Sequence, residues 1–399
     1  MKSNYKRLGD YIEEVDIRNQ QGQALELWGV SIDKKFIKSV ANIIGTDLSK
    51  YKIVSKNCFV CSLMQVSRDE KIPVARWDNE TDAIVSPAYK VFKIKDEKSV
   101  LPKYVDLWFK RAEFDREASY YGVGGVRGSL EWGDFCDMKL PIPSIEEQQK
   151  IVDAYETIEK RIAIKKKIID NLTEIANLMF VQNYILSPSM EEWKTDTFSS
   201  LIEQIIGGDW GQEKHDGNYS KKVCCIRGTD VPELNYGIIS SAPVRYILEK
   251  NFSAKHICQN DMVIEISGGS PVQSTGRIAM VSKSVLHYNQ DMICSNFCRV
   301  LRVDEDYVFF FLQYWLYLYN NGVMFNYENS STGLKNFDLT AFIKEYQIKV
   351  PPRNIAKKFN DIMRKVYQEI HNIGFEIECL KRIQVLILPR LMSLGVKKF

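Results

Sequence analysis

Residues 144–180 read SIEEQQKIVDAYETIEKRIAIKKKIIDNLTEIANLMF, and no other stretch restricts the fold of this chain as strongly. Pro141 and Pro143 push their predecessors into extended geometry, so a helix cannot start earlier. Ser144 can cap the first turn, and Glu147 three residues later completes an S-x-x-E capping box. Ile151, Tyr155, Ile158, Ile162, Ile169, Leu172, Ala176 and Met179 follow at alternating steps of four and three, with Lys165 the one polar member. Such a heptad seam belongs to a helix that packs on another helix. At 1.5 Å per residue it spans about 55 Å, a rod suited to holding two things a fixed distance apart.

The partner helix is expected at the other end of the chain. Val350-Pro351-Pro352-Arg353-Asn354 repeats the proline-then-cap opening. Ile355, Phe359, Ile362, Val366, Ile370, Ile373, Ile377, Leu380, Ile387 and Leu391 then recur at steps of three and four, with Gln384 between. The extra step of four between Val366 and Ile370 reads as a stutter that locally unwinds a supercoil. Pro389 predicts a kink or an end near Leu388. Neither helix buries its apolar stripe alone, so the two should pair.

With 399 residues, 45% of them hydrophobic, the chain can build two or more ordinary domains. A net charge of only +3 excludes a global basic field, so any nucleic-acid contact must be local. No run reaches about 18 apolar residues, and the opening MKSNYKRLGDYIEEVD lacks the features of a signal peptide. The apolar run 308–319 reads as a buried helix. Nine cysteines without a secretion signal point to reduced thiols in the cytoplasm.

The chain also repeats itself once. Tyr5-Lys6-Arg7 opens the first half and Glu192-Trp193-Lys194 the second. Residues 85–94 match 294–303, each alternating like a strand and leading into an aromatic helix. Gly128-Ser129-Leu130 resembles Thr332-Gly333-Leu334, and Pro141 answers Pro351. The spacing between matched residues grows from 188 (Tyr5 to Trp193) to 210 (Pro141 to Pro351), so the second copy carries an early insertion. A repeat this long is a duplicated domain rather than a solenoid unit. Runs 25–30, 52–62 and 261–267 read as strands, and 185–190 as the linker between halves. The expected fold is α+β: two globular domains, each followed by a long helix, the helices paired as an antiparallel coiled coil. The boundaries fall at 1–143, 144–186, 187–350 and 351–399.

PIPSIEEQQKIV before the long helix, the duplicated layout, Trp193-Lys194 and the ending Ile387-Leu388-Pro389-Arg390-Leu391-Met392-Ser393 together resemble the specificity (S) subunits of type I restriction–modification enzymes. The resemblance covers the whole chain. It implies two target recognition domains reading a bipartite double-stranded DNA target. It also implies helices that dock modification (methyltransferase) subunits, two of them, and a restriction subunit as a further partner. The second copy's PPRNIAKKF departs from the acidic PSIEEQQKI of the first, so its docking surface is differently charged.

Catalytic signatures fail on inspection. Gly122 to Gly128 (GVGGVRG) follows a charged aromatic helix rather than a strand, without the acidic residue of a dinucleotide fold. The Asn-Pro-Pro-aromatic motif of amino-methyltransferases and a Walker A loop are both absent. Glu192-Trp193-Lys194 offers an E-x-K without a paired upstream aspartate. Cys58 and Cys61 lack a second pair at zinc spacing and read as core cysteines. The chain is expected to be non-catalytic, with no cofactor and no metal. A coiled-coil scaffold with protein-binding ends is the alternative.

DNA contact is assigned to loops. Lys34, Lys35 and Lys38 concentrate cations suited to phosphate contacts, though the stretch also reads as a solvated loop. Arg76, Arg116, Tyr120 and Arg127 are candidates in the same domain. In the second domain the small-residue loop 268–277 presents Ser270, Gln273, Ser274 and Arg277, able to reach base edges or phosphates. Lys335 and Asn336 form another candidate loop. Glu146, Glu147, Lys165, Lys166 and Lys167 are candidates for partner docking, the lysines also reading as a solvated helix face.

Overall fold

A computed structural model of the chain describes residues 5–22, 25–39, 45–64, 66–123, 128–268, 272–288, 291–331 and 334–394. It forms two compact units, Met1–Lys160 with Arg382–Phe399, and Arg161–Lys381. Among the described residues no helix is long and apolar enough to cross a membrane.

In the first unit, Ile12–Glu14, Lys90–Ile94, Phe59–Cys61 and Val74–Arg76 lie side by side in that order, all antiparallel. A second sheet orders Phe36–Lys38, Leu27–Val30, Ala83–Val85 and Lys52–Val54, its middle pair parallel. The second unit repeats this plan. Ile202–Gly207, Cys298–Val303, Met262–Glu265 and Ile278–Met280 form the antiparallel sheet. Val244–Ile247, Lys221–Ile226 and Met292–Cys294 form the mixed one, again with one parallel pair. Short two-stranded ribbons bring the first strand of each half to the strand before its long helix, Tyr5 to Pro141 and Lys194 to Val350. The repeat in the sequence is therefore a repeat of strand order.

The halves differ at three places, the first being the edge strand Lys52–Val54 of the first mixed sheet, which has no counterpart among the described residues of the three-stranded second one. Between Val30 and Phe36 the first needs a five-residue turn, whereas Ile226 and Val244 are joined by residues 227–243. This longer connection holds much of the insertion read from the spacing. The second half also carries an extra three-stranded sheet, Ser267–Gly268, Leu334–Phe337 and Glu328–Ser331.

Four runs read as single strands are corrected, 261–267 being Met262–Glu265 followed by Ser267–Gly268 in a different sheet. Residues 52–62 are two strands in different sheets, broken where Asn57 takes a positive φ of 65°. Residues 85–94 and 294–303 likewise switch sheets at matching turns, before Lys90 and before Cys298. The apolar character carries on through each switch because these strands are buried on both faces, Val91 and Phe92 facing different cores as Val300 and Leu301 do.

Aromatic side chains fill both cores. Phe59 stacks on Phe92 at 5.1 Å, with Phe109 and Phe135 against them. In the second unit the helix Val308–Asn320 buries Phe310, Phe311 and Trp315 completely. The Trp315 indole still donates to the Gly276 carbonyl at 2.8 Å, so its polar edge is satisfied in the core. The apolar run is a buried helix, as its length implies.

The central helix runs Ile145–Phe180, with one further turn of π-helix, Val181–Ile185, within the 144–186 span expected for it, and the 185–190 linker holds the start of a short 3-10 turn, Pro188–Glu192. Ser144 Oγ accepts from the Glu147 amide at 3.3 Å. Fully buried Gln148 does more: it accepts from Leu101 N (2.9 Å) and donates to the Ser99 and Pro143 carbonyls (3.0 Å each). The C-terminal helix, Arg353–Leu394, has the equivalent in buried Asn360, which accepts from Phe309 N (3.0 Å) and donates to Glu305 O (2.9 Å). One buried amide thus ties each half's aromatic helix to its long helix.

In the second unit the two helices run antiparallel. Lys165 ion-pairs with Glu376, Ile169 clusters with Ile370, Ile373 and Ile377, and Tyr184 packs on Phe359 at 4.8 Å. In the first unit Leu388 and Met392 share a core with Ile151, Val152 and Tyr155. The seam of the C-terminal helix needs correction near its start: Ile362 is exposed, while Met363 and Tyr367 are buried. There the helix packs on the globular core as well as on one helix, so a heptad does not set its buried face. The helix also continues through Pro389. The missing bond is to the carbonyl of exposed Val385, where water can serve, while buried Leu388 and Met392 hold both sides.

Candidate nucleic-acid interface

In the first half the cationic stretch divides. Lys34 sits at a turn with φ 59°, and its buried ammonium meets Asp115 at 2.7 Å and the Phe109 carbonyl. Burial pushes its pKa down, with Asp115 opposing. Lys34 is therefore a core ion pair rather than a phosphate ligand, a correction to the sequence reading. Lys35 and Lys38 remain exposed, Lys38 paired with Glu26 at 2.7 Å. Arg76 is also withdrawn from solvent: its Nη1 donates to Asn57 (3.0 Å) and Asp78 (2.7 Å), and its buried Nε has no partner. Arg116 and Tyr120 are exposed, and Tyr120 meets Tyr121 edge-on at 5.9 Å at the end of the helix Ala112–Gly122. Arg127, and Ser270 of the second half, lie outside the described residues.

The second half builds a cavity of about 690 Å³. Trp210, Arg227, Thr229, Gln273, Asn296 and Phe297 line it, and Glu265 with Arg277 forms part of its wall. Arg277 is largely buried and grips Glu265 through two bonds of 2.6 Å, which hold the guanidinium pKa above its ordinary value. Room for Glu265 comes from glycine. A Cβ at Gly228 or at Gly268 (φ 147°) would meet its carboxylate at 2.6 or 2.4 Å. Behind Gln273 the loop is pinned: Ser274 is buried, its carbonyl accepting from Tyr319, and Thr275 donates twice to Glu328. Burial pushes the Glu328 pKa up, but the Thr275 bonds and Lys335 outweigh it and leave it below the usual range. Lys335 lies 3.0 Å from Glu328, and Asn336 accepts from Ser267 Oγ at 2.5 Å. The geometry therefore separates the candidates. Gln273 projects, with Val272 beside it almost fully exposed. Ser274, Arg277, Lys335 and Asn336 support the loop from behind.

Sequence reasoning missed Trp210, Arg227, Asn296 and Phe297. Trp210 is braced by Arg245, stacked 4.3 Å above its ring and donating to its carbonyl at 2.9 Å. Arg227 is held by Asp230 and the Ser241 carbonyl. Asn296 and Phe297 occupy the turn between two strands that the sequence reads as one. Only Trp210, between glycines, carries a sequence signal.

On the central helix, Lys166 and Lys167 are exposed, but Lys165 turns inward to Glu376 and is not available to a partner. Glu146 is exposed and Glu147 partly so. Ile164, Ile168, Ile175 and Leu178 form a second apolar stripe, exposed and overlooked because the inner seam accounted for the heptad. Cys58 and Cys61 are buried, and among the described residues no group of three His, Cys, Asp or Glu side chains could hold a metal ion.

The type I restriction modification DNA specificity domain matches residues 34–174 and again 190–378. The MjaIX type I restriction enzyme specificity subunit of Methanocaldococcus jannaschii is 21% identical over 310 residues, 73% of this chain and 68% of that one. The StySPI specificity subunit of Salmonella potsdam is 21% identical over 294 residues, 69% of this chain but only 60% of that one. Among solved structures, the type I S subunit from M. genitalium aligns over 100% of this chain and 97% of its own, with a TM-score of 0.50 at 12% identity. With two family domains covering most of its length, the chain belongs to the specificity-subunit family of type I restriction–modification systems.

Proposed function

We propose that this chain reads a bipartite duplex DNA target, one half-site per globular half, within a type I restriction–modification enzyme. One observation carries the reading: the halves share the order of the antiparallel sheet and of three strands of the mixed one, but present unlike side chains. Two related frames with different loops suit the recognition of two different half-sites. The first half offers Lys35, Lys38, Arg116 and Tyr120; the second offers Gln273, Asn296 and Arg227 around an aromatic-mouthed cavity. Amide side chains can donate and accept at one base edge, while cations hold phosphates.

The long helices dock modification subunits, one per half and so two in all. Glu146, Glu147, Lys166 and Lys167 supply charge, and the stripe from Ile164 to Leu178 supplies apolar area. Those subunits carry out methyl transfer, and this chain is non-catalytic. Its nine cysteines form no disulfide, in keeping with a cytoplasmic protein. Mapping methylated bases in cells that express the chain with its modification subunits tests the reading. The expected result is one split motif of two short half-sites. Methyl transfer by the purified chain alone would overturn the non-catalytic assignment. Absence of any motif in an assembled complex would favour the scaffold alternative.

A further inference from the structure

Gly374 stands inside the 42-residue C-terminal helix, where glycine weakens a helix and needs a reason. The reason is a close approach of backbones. A Cβ at Gly374 would lie 1.8 Å from the carbonyl oxygen of Tyr236 and 3.4 Å from Ile238. Beside it, a Cβ at Gly237 (φ 75°) would meet His371 at 2.9 Å. The His371 ring is buried, and its Nε2 lies 3.2 Å from the Asn235 carbonyl. Tyr236 joins the apolar cluster of Ile169, Ile370, Ile373 and Ile377. Asn235 in turn donates to Ile278 O at 2.8 Å, on the sheet of the same half.

All of these contacts come from residues 227–243, the connection that replaces a five-residue turn in the first half. Among the described residues the first half has no counterpart. Ile164, placed 210 residues before Gly374 as Pro141 is before Pro351, is exposed. The inserted connection thus does something that the shared frame does not: it locks the second half's sheet against both long helices.

We propose that this connection is a docking strut that sets the angle of the second recognition half on the helix pair. Gly374 and His371 are its positioning residues, and through that angle they fix the spacer between half-sites. The inference rests on the bipartite reading above. Gly374→Ala places a methyl group against the Tyr236 carbonyl, and the joint must open by roughly an ångström because packed backbones leave no slack. His371→Ala loosens the same joint without a wedge and serves if the first variant does not fold.

The test is methylation mapping of the full complex with each variant, scored for spacer length and half-site bases separately. Both half-sites should keep their bases, while motifs with a spacer one base pair longer or shorter gain methylation by about tenfold relative to the original spacer. A uniform loss across all spacers together with a lower melting temperature would reduce the joint to a purely structural role. Unchanged spacer selectivity in both folded variants would also overturn the proposal. If the unaltered complex shows no split motif, the bipartite reading itself has failed, and the variants are not needed to show it.

Discussion

Replacing Arg277 by alanine separates two roles that the sequence does not distinguish. As a direct DNA contact, the arginine would contribute about 1–3 kcal/mol to binding and little to folding. The structure instead places it 2.6 Å from both carboxylate oxygens of Glu265, whose side chain is only 3% exposed. Removing one partner of such a pair leaves an uncompensated buried charge and costs about 3–5 kcal/mol. In a unit of about 200 residues each kcal/mol moves the melting temperature by roughly 2–4 °C. Arg277→Ala should therefore melt about 10 °C lower in the transition of the second unit, by calorimetry at neutral pH. The double variant Glu265→Gln with Arg277→Gln removes both charges and should recover most of that loss. Methylation should fail only through the second half-site, whose cavity wall has collapsed. An Arg277→Ala chain that melts like the unaltered protein yet loses half-site recognition would refute the reasoning and make Arg277 a reader of DNA.

Other outcomes follow from the same geometry. Gln148→Ala orphans the part-buried Leu101 amide and should cost about 1–3 kcal/mol, read as a lower melting temperature of the first unit. Burial pushes the His371 pKa down to about 4, so its neutral form is favoured in the folded state. Its contribution is full above the unfolded value near 6.5 and is lost as pH falls towards 4. His371→Gln should therefore flatten the acid limb of a stability–pH curve in that window. Leu178→Glu, on the exposed stripe, should change stability by about 0.5 kcal/mol or less while reducing copurification with modification subunits.

The long helices were legible because prolines, a cap and a heptad all agree over 144–180. Legibility failed where the partner was not a helix. Around Ile362 and Met363 the buried face follows the aromatic core, and a period cannot report that. Charge was the least legible property. Lys34, Lys35 and Lys38 look alike in the sequence, yet a left-handed turn swings Lys34 into the core beside Asp115. Arg277 and Glu265 are cross-strand neighbours twelve residues apart, and their pairing depends on a register that composition does not give. The insertion in the second half was readable as a change of spacing, but its contact with Gly374 was not.

The central claim, two DNA readers held at a set distance, is tested most directly by lengthening both helices together. Four residues inserted after Lys167 and four after Phe375 leave the Lys165–Glu376 pair and the Gly374–Tyr236 contact each on one side of the insertions. The added turn lengthens the rod by roughly 6 Å and rotates it by only about 40°. DNA rises about 3.4 Å per base pair. Methylome sequencing of the insertion strain should then show unchanged half-sites separated by one or two more base pairs. An active complex with its original spacer, or with altered half-site bases, would contradict the account.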